Sequence, residues 1–193
     1  MKNMNENGMK VWYEYSGEIP LNTIKNWNKH LLENSPWQYI GWTGLTKEPY
    51  RHWAAYPPLE GELKNIWDCI NDSFILEGFN LKPERIIMNL YSHGDSSWLH
   101  RDGDKECWTA ILFLNDFWDI NWGGDFVIVD NNEILKAFSA TPGKFILFRG
   151  DYLHAARPVS REAPYPRFSI AFQCDNNLQD IKQGKVSSFS AKL

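Results

Sequence analysis

The chain has 193 residues, 43% of them hydrophobic, 15% aromatic and 23% charged, with ten tryptophans, a composition that suits one folded domain with a sizeable core and leaves little room for a second. Its net charge of −4 gives no broad attraction to phosphate backbones, so nucleic acid is a disfavoured partner, a local basic groove aside. MKNMNENGMK at the start lacks an apolar targeting core, no apolar run approaches the roughly 20 residues needed to span a bilayer, and Cys69, Cys107 and Cys174 lack C-x-x-C spacing; the expectation is a soluble cytoplasmic protein with buried thiols and no membrane partner.

In PLNTIKNWNKHLLENSP the apolar residues Ile24, Trp27 and Leu31 recur at helical spacing, with Asn22 or Thr23 available as a cap and Pro36 beyond the end. A second amphipathic helix follows Pro57-Pro58, with Leu63, Ile66, Trp67, Ile70 and Phe74 on one face and Gly78 as its stop. The stretch SPWQYIGWTGLTKEPYRHWAAYPP between them is too long and too aromatic for a simple linker. From Pro83 the pattern changes to short runs bounded by turn residues: RIIMNLY, WTAILFLN, DFVIV, EILKAF, KFILF and PRFSIAFQ. Six such runs without intervening helices predict a mainly β sandwich or barrel. Asp130-Asn131-Asn132 reads as a hairpin turn, because Asn and Asp tolerate positive φ. The organisation expected is a single domain over 1–193, with helical support and an aromatic segment in 1–82, a β core in 83–174 and a loosely held polar tail in 175–193.

The stretch SSWLHRDGDKE sets His100, Asp102 and Asp104 within five positions, as either a solvated polar turn or part of a metal site. An imidazole and a carboxylate two residues apart, joined by a second histidine from elsewhere, form the facial triad that holds non-haem Fe(II) and leaves positions open for substrates. Spacing alone is weak: five histidines and twelve aspartates give about 0.3 His-x-Asp pairs by chance. Context raises it. Asn89 and Tyr91 share one face of the preceding strand and Gly94 turns the chain; KFILFRGDYLHAARPV places His154 after a strand and a Gly-Asp turn. Arg167 and Ser169 share a face of the last strand, where an arginine is costly unless it meets a carboxylate; a bound dicarboxylate would satisfy it, with the Ser169 hydroxyl adding a hydrogen bond.

The order Tyr91, Gly94, His100, Asp102, then FLNDFWDINWGGDF, then KFILFRGDYLHAARPV, then Arg167 with Ser169 resembles the 2-oxoglutarate and Fe(II)-dependent dioxygenases, in their prolyl hydroxylase-like branch, over residues 83–174. The resemblance implies a double-stranded β-helix, or jelly roll, with helices backing one sheet. It implies His100, Asp102 and His154 as iron ligands, Arg167 as the anchor of the 2-oxoglutarate distal carboxylate, and Tyr91 facing the cosubstrate or the substrate, with Asn89 and Ser169 as further pocket residues. Fe(II), 2-oxoglutarate and dioxygen are the implied cofactors, with ascorbate as an accessory. Arg167 lies further from His154 than is common in the family, which makes Arg161 a rival anchor; Arg161 sits in a Pro-flanked turn, and Arg167 in a strand is preferred. The carboxylate at Asp102 points away from the halogenating relatives, which carry a small residue there.

The activity implied is hydroxylation of a C–H bond in a peptidyl residue, prolyl among the options, or in a free amino acid or small molecule. Two alternatives stand beside it. One is a nucleic-acid dealkylating oxygenase, disfavoured by the acidic charge and by Gln173 where that branch usually carries a second arginine. The other is a non-catalytic jelly roll that senses a metal or ligand. For substrate contact the candidates are Asp104, Arg51, Trp53 and Trp122; Asp104 reads equally well as a solvated loop residue. Residues 36–58, with Trp37, Trp42, His52 and Trp53, either fold over the barrel mouth as a lid or pack on its exterior. His30 and His93 read as surface or cap residues, and the strings leave the oligomeric state open.

Overall fold

The structure is a computed structural model that describes Met4 and residues 10–41 and 51–176. Its elements in chain order are β1 (Trp12–Tyr15), α1 (Leu21–Asn34), β2 (Gln38–Ile40), β3 (His52–Ala55), α2 (Gly61–Leu76), β4 (Leu81–Tyr91), β5 (Cys107–Phe113), a 3-10 turn (Ile120–Trp122), β6 (Phe126–Asp130), β7 (Glu133–Phe138), β8 (Phe145–Arg149), β9 (Leu153–Ala156) and β10 (Arg167–Asn176). The six runs read from Pro83 onward are β4, β5, β6, β7, β8 and β10.

These strands make two antiparallel sheets: a seven-stranded sheet in the order β1-β8-β5-β10-β4-β3-β2 and a three-stranded sheet in the order β7-β6-β9. The two sheets face each other as the expected jelly roll. Strand alternation decides what each face carries. Outward-facing Phe168, Ile170 and Phe172 of β10 pack under Ile24, Trp27 and Leu31 of α1 and Ile66, Ile70 and Phe74 of α2 in one core. Inward-facing Ile111, Phe113, Ile146 and Phe148 meet Phe126, Ile128 and Ala156 of the small sheet in a second. Phe74, Phe113, Phe148, Phe168 and Phe172 are fully buried, each contributing about 1.5–3 kcal/mol of apolar burial.

Both helices bury the expected faces. α2 ends as Gly78 predicts: Gly78 has φ of 87°, and the Gly78 and Phe79 amides donate to the carbonyls of Ile75 and Phe74, which closes the last turn in a Schellman pattern. The cap of α1 differs from expectation. Asn22 and Thr23 lie inside the first turn, and Pro20, whose extended backbone lets its carbonyl accept from the Thr23 and Ile24 amides, occupies the N-cap without a side-chain bond. The β6–β7 hairpin pairs Asp130 with Glu133, and Asn131 and Asn132 take φ of 48° and 64°, the type I′ turn foreseen.

The first third is less purely helical than its sequence suggests. β1 zips onto β8 at one edge of the large sheet, and β3 joins β4 at the other, with β2 outside it. For 36–58, read as a lid or as exterior packing, the described parts form strands β2 and β3, in which His52, Ala54 and Ala55 are buried, and Trp37 packs edge-on against Phe168 on the helical side. Trp42 lies outside the described residues. So does the tail beyond Asn176, whose first two expected residues instead finish β10. Of the thiols expected to be buried, Cys174 is, Cys107 is half-buried and Cys69 is exposed on α2. Among the described residues no helix is long and apolar enough to cross a membrane.

Candidate metal centre

β4 ends at Tyr91, and the chain then crosses to the small sheet. Gly94 turns with φ of 77°, the Asp95 carboxylate accepts from the Ser92 amide, and the segment lies antiparallel to β9. The Ser97 hydroxyl accepts from the Ala156 amide at 2.8 Å, and His100 and His154 exchange backbone hydrogen bonds at 3.0 and 3.1 Å. His100 is therefore fixed by a β-bridge to the other histidine rather than by an extension of β4. Two residues on, the Asp102 and Gly103 amides donate to the Gly150 carbonyl, which turns the Asp102 carboxylate back toward both rings.

One ligand atom from each of His100, Asp102 and His154 lies within 4.8 Å of the others. The Nε2 atoms of His100 and His154 stand 3.6 and 3.4 Å from the two Asp102 oxygens. Each Nδ1 contacts the carbonyl two residues earlier, Trp98 at 2.8 Å and Tyr152 at 3.0 Å, so each ring is oriented with Nε2 toward the cluster. The Thr109 hydroxyl of β5 donates to Asp102 Oδ2 at 2.6 Å. Burial alone would raise the Asp102 pKa; hydrogen bonds from the two imidazoles and Thr109 outweigh it and hold the carboxyl well below the usual range. Two imidazoles, a carboxylate and an open side are a donor set that fits Fe(II).

The cluster opens into a cavity of about 280 Å³ whose floor is the inner face of the large sheet. Register sets the floor: Arg167 pairs with Tyr91, Ser169 with Asn89 and Phe113, Ala171 with Ile87 and Ile111, and Gln173 with Arg85 and Thr109. Arg167 is 3% exposed. Its Nη1 donates to the Gly124 carbonyl at 2.9 Å, its Nη2 to the Ser169 hydroxyl at 3.2 Å, and its guanidinium stands 4.6 Å over the Tyr91 ring. Buried Nε has no acceptor among the described residues, and no carboxylate there lies within ion-pair distance of the guanidinium. Burial lowers the Arg167 pKa, a cost that a bound dicarboxylate would offset. Arg161 lies exposed in a turn and does not line the cavity.

The motifs flanking these residues hold Arg167 in place. Asn115 of the Leu-Asn-Asp run accepts from the Phe168 amide at 2.7 Å and donates to the Pro166 carbonyl at 2.9 Å, fixing the start of β10. In the Trp-Gly-Gly-Asp run Gly124 has φ of 70°, and a Cβ there would stand 3.2 Å from Arg167 Cδ and 3.3 Å from the Trp118 ring. Only glycine leaves its carbonyl so close to the guanidinium.

Asn89, Tyr91, Ser169 and Arg167 line one end of the cavity together. Asp104, Arg51, Trp53 and Trp122 do not. Asp104 accepts from the Glu106 amide in its own turn, and Arg51 bridges to Ser96 by backbone. Trp53, 42% exposed, points away from His52 and meets Tyr39; Trp122 packs with Phe117, Trp118 and Tyr165. Sequence reasoning left out His52 as a wall residue. Its ring stacks on Tyr91 at 4.6 Å and 12°, and burial lowers its pKa to about 4. It also left out Thr109, Tyr56, Arg85 and Arg101, which line the remainder. Continuing the two-residue alternation back from Tyr91 and Asn89 would have found Arg85.

The family described as the 2OG-Fe(II) oxygenase superfamily matches residues 86–173. No curated protein sequence matches the chain. Solved structures share its fold at low identity. A Pseudomonas putida prolyl-4-hydroxylase aligns with TM-score 0.65 at 16% identity, over 86% of this chain and 92% of that one. A Trichoplax adhaerens prolyl hydroxylase, solved with a hypoxia inducible factor oxygen degradation domain peptide fragment, gives 0.68 at 13% over 86% and 84%. The viral collagen prolyl hydroxylase of Paramecium Bursaria Chlorella virus-1, in its 2OG complex, gives 0.63 at 15% over 86% and 97%. Residues 86–173, with the metal-ready cluster inside them, thus match the 2OG-Fe(II) oxygenase superfamily, and the protein is a dioxygenase that uses Fe(II), 2-oxoglutarate and dioxygen on a scaffold of the prolyl hydroxylase kind.

Proposed function

We propose that the protein hydroxylates a C–H bond of a peptidyl residue, prolyl being the first to test, or of a free amino acid or small molecule, with His100, Asp102 and His154 holding Fe(II) and Arg167 the distal carboxylate of 2-oxoglutarate. The observation that carries the reading is the buried Arg167, which has no carboxylate partner among the described residues and lines the same cavity as the three-ligand cluster. That the Trichoplax enzyme was captured with a peptide fragment supports a peptidyl substrate.

Bound Fe(II) supplies oxygen activation coupled to decarboxylation of 2-oxoglutarate to succinate and CO2. The protein's own residues do the rest. The Trp98 and Tyr152 carbonyls hold each ring at Nδ1 and so aim both Nε2 atoms at the metal position, and Thr109 fixes which Asp102 oxygen stays free. Ser169 and the Gly124 carbonyl hold the Arg167 guanidinium in the plane that a carboxylate meets, while Tyr91 and Phe113 exclude water from it.

The test is anaerobic titration of the protein with Fe(II) and 2-oxoglutarate, followed by admission of air with prolyl and non-prolyl peptide pools and an amino-acid pool. Binding of both, with oxygen-dependent succinate formation stimulated by one pool and lost in His100→Ala and Asp102→Ala, is the expected result. Binding that survives in those variants would refute the ligand assignment. Stimulation only by alkylated oligonucleotides would move the substrate to nucleic acid.

A further inference from the structure

The cavity carries cationic charge that the metal centre and its cosubstrate do not use. Arg85 and Arg101 line it beside Arg167, and Asp102 is the single acidic residue of that lining. Neither Arg85 nor Arg101 has an ion pair among the described residues. With neutral imidazoles, the charges of Fe(II), Asp102, the 2-oxoglutarate dianion and Arg167 cancel. Two guanidinium groups are left over, in a chain whose net charge is −4.

Register locates them. Arg85 pairs with Gln173, which pairs with Thr109, whose hydroxyl holds Asp102. Two strand spacings, about 10 Å, separate Arg85 from Thr109, whereas Arg85 lies about 20 Å along β4 from Tyr91, the partner of Arg167. A 2-oxoglutarate molecule held by Arg167 therefore falls short of Arg85, while a second molecule lying between Arg85 and the metal cluster need only be a few bonds long. Both arginines stand at the exposed rim of the cavity, each held by one contact: the Arg85 guanidinium is 5.2 Å from the Tyr56 ring, and Arg101 Nε donates to the Asp151 carbonyl at 2.7 Å. The cavity's 280 Å³ is small beside ordinary ligand pockets of about 300–1,000 Å³, which suits one residue-sized group next to the cosubstrate.

We infer that Arg85, with Arg101, forms a carboxylate subsite for the substrate, so that the oxidised C–H bond lies within a few bonds of a carboxylate. This rests on the hydroxylase reading above and narrows its substrate class. The carboxylate has three sources: the α-carboxylate of a free amino acid, the C-terminus of a peptide, or an Asp or Glu side chain within one.

The test uses the protein loaded with Mn(II) and 2-oxoglutarate, which binds without turnover, and measures probe binding by calorimetry. The probes are the free L-amino acids and their primary amides, short peptides with free or amidated C-termini, and end-blocked peptides with Glu or Gln. One acid set should bind, its amide counterpart about tenfold or more weakly, and the arm in which this happens names the source. Arg85→Gln should weaken the acid about tenfold, the share of one charge-assisted hydrogen bond, leave the amide's affinity alone, and keep 2-oxoglutarate bound. Arg161→Gln, in the exposed turn, should change nothing. Equal binding of acids and amides, indifference to Arg85→Gln, or no acid bound in any arm would each overturn the inference. Loss of 2-oxoglutarate binding by the unaltered protein would instead overturn the hydroxylase reading beneath it.

Discussion

Replacing Arg167 with methionine separates two effects that usually travel together. In the cosubstrate-free protein the guanidinium is 3% exposed, lacks an acceptor at Nε among the described residues, and is held by one carbonyl and one hydroxyl. A methionine of similar length gives up those two hydrogen bonds, about 1 kcal/mol each net, but no longer buries an unpaired cation, an exchange that is often neutral. The free variant should therefore melt within about 4 °C of the parent. The ligand response differs. A cosubstrate at a hundred times its Kd stabilises by about 2.7 kcal/mol, which for a domain of this size raises Tm by about 5–10 °C. Without the bidentate partner that rise should vanish. Thermal unfolding with Mn(II), with and without 2-oxoglutarate, reads both quantities with no turnover. A full 2-oxoglutarate shift in Arg167→Met, or its loss in Arg161→Gln, would refute the anchor assignment.

Thr109→Val removes the hydroxyl that donates to Asp102 at 2.6 Å and should weaken Fe(II) binding about 10- to 100-fold, as loss of such supporting contacts does; Thr109→Ser should restore it, measured by metal competition. Gly124→Ala places a methyl 3.2 Å from Arg167 Cδ at a φ of 70°. It should lower stability by about 1–3 kcal/mol and raise the KM for 2-oxoglutarate, and an unchanged KM would show that the Gly124 carbonyl does not position the arginine. His52 has a pKa lowered by burial to about 4, against an ordinary 6.5, so the unfolded chain binds its proton first as pH falls. Its stability contribution is full above pH 6.5 and is lost toward pH 4, about 2 kcal/mol being gone at pH 5. His52→Phe keeps the stack on Tyr91 and should flatten the stability profile between pH 8 and 5 by that amount, read by denaturant midpoints at each pH.

Much of this was legible in the chain. Runs bounded by Gly, Asn and Pro located six strands, because each has a buried face whose alternation survives without tertiary context. The metal cluster was legible because its flanking runs, Leu-Asn-Asp and Trp-Gly-Gly-Asp, are themselves dictated by the backbone around Arg167. What escaped depends on long-range pairing. β1, β2 and β3 are three or four residues long and take their strand character from edges of the large sheet; β9, with only Leu153-His154-Ala155-Ala156, is built of residues without strand preference. Thr109 could not be tied to Asp102 by spacing, since the contact joins a strand to a loop. The aromatic segment before the barrel left lid and exterior packing open, because the large Trp37 and Trp53 suit either; Trp37 packs against Phe168 on the helical side, and Trp53 faces outward from β3, one strand in from the sheet edge.

The measurement that tests the account most directly is incorporation of labelled dioxygen. With Fe(II), 2-oxoglutarate and the stimulating pool, the account predicts one labelled oxygen atom in the oxidised product and one in succinate, in equal amounts, and neither in Asp102→Ala. Product formed with oxygen from water alone, or succinate released undiminished by Asp102→Ala, would contradict it.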